Sequence, residues 1–118
     1  MDIGMIGLGK MGANMARRLI RGGHRVVGFD PREEARQALE EVGGESAASL
    51  AALVKKLKRP RAVWMMVPSG KITDKTATTL KSLLAKDDVV VDGGNSNYKD
   101  TLRRAKQFQS KNMHYVAC

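Results

Sequence analysis

Three glycines stand in the order G-x-G-x-x-G in the stretch GLGKMG, residues 7–12, between an apolar segment and an amphipathic segment. In dinucleotide-binding folds the three glycines of such a loop allow, in turn, a tight turn, close approach of a pyrophosphate, and close packing of helix on strand. Free N–H groups at the helix start then face the anion. The alternative is a plain glycine-rich turn. The predicted phosphate-binding residues are Gly7, Leu8, Gly9, Lys10, Met11 and Gly12.

Apolar segments typical of strands alternate with helical patterns along the chain on both sides of this loop. Strands are predicted at 3–7, 25–30, 61–67, 89–92 and 112–117, and helices at 10–21, 31–41, 72–84 and 97–109. A further helix, capped by Ser46 or Ser49, should run to about Leu57. Pro31 suits the first turn of its helix. The first helix is expected to bury one face formed by Met11, Met15, Ala16, Leu19 and Ile20.

This alternation indicates an α/β fold of Rossmann type, a doubly wound, mainly parallel sheet with helices on both faces. The length of 118 residues suits one domain, and we expect a single dinucleotide-binding domain over residues 1–118. No apolar run has the length of a membrane span, and no export signal is visible at the N-terminus. The single cysteine, Cys118, excludes an internal disulfide and fits a reducing compartment, so we expect a cytoplasmic protein without a metal site.

The net charge of +9 favours anionic partners, either nucleic acid or phosphorylated metabolites and cofactors. The densest basic cluster spans residues 55–61 and has no aromatic residue among its charges, which argues against stacking on single-stranded nucleic acid. Cations also suit the C-terminal end of a helix, and Pro60 would stop one there. We therefore interpret the cluster as a solvated helix end and predict no nucleic-acid or membrane partner.

An acidic residue, Asp30, ends the second predicted strand, 18 positions after Gly12. A carboxylate at this place suits the adenosine ribose hydroxyls of NAD and would repel the 2′-phosphate of NADP. Arg32 keeps NADP open, because its guanidinium could reach a 2′-phosphate or stack on adenine. Asp30 could alternatively cap the helix that follows. We predict that Asp30 and Arg32 bind the coenzyme, with NAD favoured.

The loop Val67-Pro68-Ser69-Gly70 follows the strand predicted at 61–67 and should lie at the carboxyl edge of the sheet, where ligands bind in such folds. A simple strand stop at Pro68 is the alternative. On the first interpretation Val67, Pro68 and Ser69 contact the coenzyme.

Two stretches together resemble the β-hydroxyacid dehydrogenases, a superfamily that includes 3-hydroxyisobutyrate dehydrogenase, tartronate semialdehyde reductase and 6-phosphogluconate dehydrogenase. The first, GLGxMGxNMA at residues 7–16, is similar to all of these groups. The second, DGGNSxYxDT at residues 92–101, is similar to the 6-phosphogluconate dehydrogenase family in particular. That resemblance covers all 118 residues and implies the front part of the family's coenzyme domain.

The resemblance implies roles for individual residues of the chain. Asn95 would contact both 6-phosphogluconate and the nicotinamide ribose, while Ser96 and Asn97 cap the helix after it. Val67-Pro68-Ser69 matches a coenzyme-contacting loop that reads Val-Lys-Ala in many members. Asp30-Pro31-Arg32 stands where NADP-dependent members carry Asn-Arg-Thr, which again favours NAD and resembles the shorter bacterial forms.

The family reaction oxidises 6-phosphogluconate at C3 with hydride transfer to the coenzyme, and decarboxylation then gives ribulose 5-phosphate, a step of the pentose phosphate pathway. The family's lysine base and glutamate acid would lie beyond residue 118, so no catalytic residue is expected in this chain and the chain alone should be inactive. We expect a truncated domain that lacks the helical substrate and dimerisation domain of a homo-oligomeric enzyme. The alternatives are another 3-hydroxyacid dehydrogenase, such as 3-hydroxyisobutyrate dehydrogenase, and a non-catalytic dinucleotide-binding module.

Overall fold

The computed structural model describes residues 2–67, 71–93 and 98–117. Helices and strands alternate strictly in chain order within these residues. The strands are β1 (Asp2–Ile6), β2 (Arg25–Phe29), β3 (Glu45–Ser46), β4 (Ala62–Met65), β5 (Val89–Asp92) and β6 (His114–Ala117). The helices are α1 (Lys10–Arg21), α2 (Glu33–Glu41), α3 (Leu50–Lys56), α4 (Lys71–Leu83) and α5 (Tyr98–Gln109).

All described strands form one sheet in the order β3-β2-β1-β4-β5-β6, and every pairing is parallel. Parallel neighbours require crossover connections, and the helices supply them on both faces. This confirms the predicted Rossmann-type α/β fold. The strand order reverses between β1 and β4, so the loops that follow these two strands diverge and leave a crevice at the carboxyl edge.

Two separate apolar cores lie on the two faces of the sheet. The smaller core joins α1 and α2 to the sheet through Met5, Leu8, Ala16, Val26 and Leu39. The larger core lies under α3, α4 and α5 and includes Leu53, Val63, Leu80, Val90 and Phe108. Because parallel strands are covered on both sides, β1 and the central part of β2 are buried without alternation, whereas in β4 and β5 buried residues alternate with half-buried ones.

Among the helix ends that the structure describes, some follow the sequence signals that predicted them, and two such signals were wrong. Gly22 caps the C-terminus of α1, and the Ser49 side chain accepts a hydrogen bond from the Ala52 N–H at the start of α3. Pro31 does not occupy the first turn of α2, because the helix begins at Glu33 after an extended Arg32. Ser46 is no cap either, since it belongs to β3, a two-residue strand that the sequence pattern did not predict.

The basic cluster ends α3 as expected, with Lys55 and Lys56 in its last turn. Two residues of the cluster have partners within the protein. The Lys56 ammonium donates to the Ser46 carbonyl, and Nη1 of Arg61 lies 3.5 Å from Oδ2 of Asp88. None of the helices within the described residues has the length and hydropathy that a membrane span requires.

Candidate dinucleotide-binding site

The glycine-rich loop connects β1 to α1 in a geometry that requires glycine at two positions. Gly7 has a φ of 94°, in the left-handed region, and its N–H donates to the Phe29 carbonyl over 2.9 Å. A Cβ added to Gly12 would overlap the carbonyl oxygen of Gly7. At Gly9, in contrast, a Cβ would meet nothing within 4 Å. The loop therefore packs tightly on its inner side and leaves open space beside Gly9.

The N-terminus of α1 is suited to an anion. Gly9 is its N-cap and offers no side-chain hydrogen bond, and the first turn contains no acidic residue. The first N–H groups of a helix have no intrahelical acceptor and carry the positive end of the helix dipole. Phosphate oxygens would satisfy these donors, so the residues present fit the pyrophosphate of a dinucleotide.

One expectation for the predicted loop was wrong, and a second residue of the loop has a contact that the sequence did not predict. Met11 does not join the buried face of α1 and is 70% exposed, because it lies in the first turn, beyond the end of β1. Leu8 is only 5% exposed and packs in the smaller core, so its side chain faces away from solvent. Its N–H is also engaged, since it donates to the Asp30 carboxylate over 2.8 Å.

The Asp30 carboxylate lies beside the glycine-rich loop and is nearly buried, with the residue 5% exposed. Its Oδ2 accepts from the Leu8 N–H, and its Oδ1 accepts from the Arg32 N–H over 2.9 Å. The Arg32 guanidinium donates to both oxygens, over 3.0 and 3.2 Å. Asp30 therefore holds the loop to the end of β2 and is not the cap of α2, whose N-cap is Arg32.

These donors stabilise the ionised form of the Asp30 carboxyl. Burial is the largest single effect and would raise the pKa of the Asp30 carboxyl, but the hydrogen bonds from Arg32 and Leu8 together outweigh it and lower the pKa below its usual value. The same pairing raises the pKa of the Arg32 guanidinium. Arg36, for which the sequence carried no signal, donates to the Asp30 carbonyl over 2.6 Å and fixes the backbone of this turn.

The segment after β4 touches the glycine-rich loop. The Met66 N–H donates to the carbonyl of Ile6, the last residue of β1, over 2.7 Å, which continues the pairing of the two strands one residue past β4. A Cβ on Gly7 would lie 3.4 Å from Cγ1 of Val67, so the predicted coenzyme residue Val67 is adjacent to this loop. Pro68 and Ser69 lie outside the described residues.

The segment after β5 approaches Met66 from the other side. The Gly93 N–H donates to the Met65 carbonyl over 2.9 Å, and a Cβ on Gly93 would overlap Sδ of Met66. Met66 thus lies between Gly93 and the glycine-rich loop. The sequence did not predict this position of Met66. Asn95, the predicted substrate and coenzyme residue, lies outside the described residues, as do the predicted caps Ser96 and Asn97.

A polar cluster lies at the carboxyl end of β5, formed by Asp92, Tyr115, Arg104 and Asp74. The Tyr115 hydroxyl donates to Oδ2 of Asp92 over 2.7 Å, and Nη1 of Arg104 lies 3.6 Å from the same oxygen. Nε of Arg104 donates to Asp74 over 2.9 Å. Asp92 and Arg104 are only 2% and 1% exposed.

Burial, reinforced by the hydrogen bond to Asp92, raises the pKa of the Tyr115 hydroxyl, so Tyr115 remains a donor at neutral pH. The sequence carried one signal for this cluster: an acid at the end of an apolar strand needs a buried partner. That signal does not identify Arg104 or Tyr115, which come from α5 and β6. The cluster ties the start of the segment after β5 to three neighbouring elements.

The loops that follow β1, β2, β4 and β5 lie together at the carboxyl edge of the sheet. Because the strands are parallel, Gly7, Asp30, Val67 and Gly93 all follow their strands at the carboxyl side, on both sides of the reversal point in strand order. An open glycine loop at a helix N-terminus beside a nearly buried carboxylate fits the pyrophosphate and ribose of a dinucleotide. Fold and site together define a Rossmann-type dinucleotide-binding domain.

The chain belongs to the family described as the NAD binding domain of 6-phosphogluconate dehydrogenase, whose model matches residues 2–118. It is 45% identical over 106 residues to an NAD(+)-dependent, decarboxylating 6-phosphogluconate dehydrogenase of Haloferax volcanii, covering 90% of this chain and 36% of that protein. It is 37% identical over 119 residues to the enzyme of the same name from Bacillus subtilis, covering 98% of this chain and 25% of that protein.

Among solved structures, the chain is similar to Plasmodium falciparum 6-phosphogluconate dehydrogenase, studied in its apo form and in complex with NADP+ and with 6-phosphogluconate. The TM-score is 0.87 at 27% identity, over 98% of this chain and 26% of that one. The chain therefore spans about a quarter to a third of the length of these relatives. The family resemblance noted in the sequence is confirmed, and with it a nucleotide as the type of cofactor.

Proposed function

We propose that this chain is the coenzyme-binding part of an NAD-dependent 6-phosphogluconate dehydrogenase, which oxidises and decarboxylates 6-phosphogluconate to ribulose 5-phosphate. One observation above all supports NAD, namely the position of the Asp30 carboxylate. Asp30 directly follows β2, and its Oδ2 lies 2.8 Å from the Leu8 nitrogen in the glycine-rich loop. A carboxylate at this place accepts hydrogen bonds from a ribose diol and repels a 2′-phosphate. The family match supports the reaction.

Each predicted site residue has a role in this proposal. Gly7 forms the turn and the Leu8 N–H holds the Asp30 carboxylate. The backbone from Gly9 to Gly12 binds the pyrophosphate, with Gly9 leaving room for its approach. Asp30 accepts hydrogen bonds from the adenosine ribose hydroxyls. Contacts with the coenzyme are also assigned to Val67, Pro68 and Ser69. When bound, the nicotinamide supplies the hydride acceptor, and the protein orients it. We assign no residue of this chain as the catalytic acid or base.

Asn95 is the proposed meeting point of 6-phosphogluconate and the nicotinamide ribose. In the full-length enzyme, we expect Asn95→Ala to impair kcat/KM for 6-phosphogluconate more than the Kd for NAD. Loss of one partner of a buried polar contact costs about 1–3 kcal/mol, which is about five- to 150-fold. Kinetics equal to those of the parent would leave Asn95 as a turn residue only.

The proposed function has a direct test in two measurements. Calorimetry on the chain should detect NAD binding, and the full-length protein should reduce NAD with 6-phosphogluconate but not with 3-hydroxyisobutyrate. Reduction with 3-hydroxyisobutyrate alone would assign a different hydroxyacid dehydrogenase. NAD binding without turnover of either substrate by the full-length protein would indicate a non-catalytic dinucleotide-binding module. We also expect a cytoplasmic homo-oligomer, which light scattering and fractionation of the full-length protein can check.

A further inference from the structure

The Asp30 carboxylate already accepts four hydrogen bonds within the protein. Oδ1 accepts from the N–H and the Nε–H of Arg32, over 2.9 and 3.0 Å. Oδ2 accepts from the Leu8 N–H over 2.8 Å and from Nη2 of Arg32 over 3.2 Å. Because an ionised carboxylate offers about four acceptor positions, ribose hydroxyls can bind Asp30 only if one or more of these donors leaves.

The four donors differ in how easily they can leave. The Leu8 N–H is fixed, because its side chain is buried in the smaller core. The Arg32 N–H belongs to the turn that begins α2, whose backbone is held by the bond from Arg36 to the Asp30 carbonyl. The Arg32 side chain, in contrast, is 55% exposed, so water can replace the carboxylate as the partner of its guanidinium. The guanidinium is therefore the donor that can be displaced.

We infer that Arg32 is a selectivity residue that competes with the adenosine ribose for the Asp30 carboxylate. The inference rests on the proposed function, because it takes Asp30 as the ribose-binding group. The guanidinium fork supplies two donors to the carboxylate, the same number as a 2′,3′-diol. A coenzyme with a free diol must displace the Arg32 guanidinium and makes no new contact with it. The 2′-phosphate of NADP, in contrast, can form an ion pair with the guanidinium. Arg32 thus weakens NAD binding and reduces the difference between the affinities of the chain for NAD and for NADP.

The test is calorimetry on the chain with NAD and NADP, comparing the parent with Arg32→Ala and Arg36→Ala. Arg36 is the matched control because it carries the same charge on the same turn, yet it contacts the Asp30 carbonyl and not the carboxylate. We expect Arg32→Ala to bind NAD about two- to fivefold more tightly than the parent, because solvent at the 55%-exposed guanidinium screens its pair with the buried carboxylate. It should bind NADP more weakly. Arg36→Ala should gain no NAD affinity.

Ionic strength provides a second readout. Salt screens a pair with an exposed partner, so the NAD advantage of Arg32→Ala over the parent should shrink as salt rises. NAD affinity of Arg32→Ala equal to or below that of Arg36→Ala would overturn the inference and make Arg32 a coenzyme ligand or a bystander. Failure of the folded parent and both variants to bind NAD would overturn the proposed function, and the inference with it.

Discussion

A Cβ on Gly12 would overlap the carbonyl oxygen of Gly7 and lie 3.1 Å from its carbonyl carbon. Both atoms belong to the backbone, so the loop and the start of α1 would have to separate to admit a methyl group. We expect Gly12→Ala to lower the melting temperature and to weaken NAD binding together. Thermal denaturation followed by circular dichroism, with calorimetry on the folded fraction, measures both effects.

Gly9 provides the matched control within the same loop. A Cβ there would meet nothing within 4 Å, and the φ of −68° is open to any residue. Gly9→Ala should therefore fold like the parent but bind NAD less tightly, since the methyl group would enter the space beside the pyrophosphate. Unchanged NAD affinity in Gly9→Ala would show that the coenzyme does not approach the backbone at this glycine.

Asp30→Asn should change coenzyme preference in the full-length enzyme. The substitution removes the charge that repels a 2′-phosphate and weakens the charge-assisted bonds to a ribose diol. It also releases Arg32, whose guanidinium now pairs with Asp30. We expect kcat/KM to fall with NAD and to rise with NADP, and the ratio to change by about tenfold or more, which requires about 1.4 kcal/mol. A parent enzyme that already prefers NADP would contradict this assignment.

The same carboxylate should make stability depend on pH. The pKa of Asp30 in the folded protein lies below its usual value, so the ionised group stabilises the fold fully above the unfolded value of about 3.9. That stabilisation is lost as the pH falls through the folded pKa. The free energy of unfolding of the parent should therefore exceed that of Asp30→Asn at neutral pH, and the difference should shrink in acid. Urea denaturation at several pH values measures it, and a constant difference would exclude a role for the charge.

The sequence predicted what depends on local pattern, namely the alternation of elements, the glycine loop and the acid at the end of β2. It located α1 at the same residues as the structure, because two glycines and a strong apolar periodicity mark that helix. It missed β3, since a two-residue strand exists only through its pairing with β2. It also put Pro31 inside α2, because it did not weigh the local turn in which the Asp30 carboxylate accepts from the Arg32 N–H two residues on, and α2 begins only after Arg32.

Long-range polar contacts were the other part that sequence reasoning did not find. Arg104 and Tyr115 meet Asp92 only after α5 and β6 have folded back on β5. Met66 acquires its position between two loops from the reversal of strand order, which a residue pattern does not encode. The assignment of Asn95 stays a prediction.

Gly93 and Met66 should be coupled in stability. A Cβ on Gly93 would overlap Sδ of Met66, which belongs to a flexible side chain, so the cost of Gly93→Ala depends on how far that side chain can move. We expect Gly93→Ala to be destabilising in the parent and nearly neutral in a Met66→Ala background. A double-mutant cycle by urea denaturation should give a coupling of about 0.5–3 kcal/mol. Strict additivity would mean that the backbone at Gly93 adjusts without Met66.

Arg104 and Arg103 allow a comparison of a buried and an exposed cation on the same helix. Both donate to Asp74 over 2.9 Å, but Arg104 is 1% exposed and also faces Asp92, whereas the Arg103 side chain is 49% exposed. Arg104→Ala should cost about 3–5 kcal/mol, because it leaves the carboxylate of Asp92 buried without its guanidinium. Arg103→Ala should cost about 0–1 kcal/mol, as is usual for an exposed pair.

Tyr115→Phe completes the comparison, since it removes only the hydroxyl that donates to Asp92 over 2.7 Å. A hydrogen bond to a charged group contributes about 1.5–3 kcal/mol, so this variant should be less stable than the parent and more stable than Arg104→Ala. Urea denaturation of all three variants gives the order. Equal costs for Arg104→Ala and Arg103→Ala would show that Asp74, and not Asp92, is the partner that matters, because Asp74 is the acid the two arginines share.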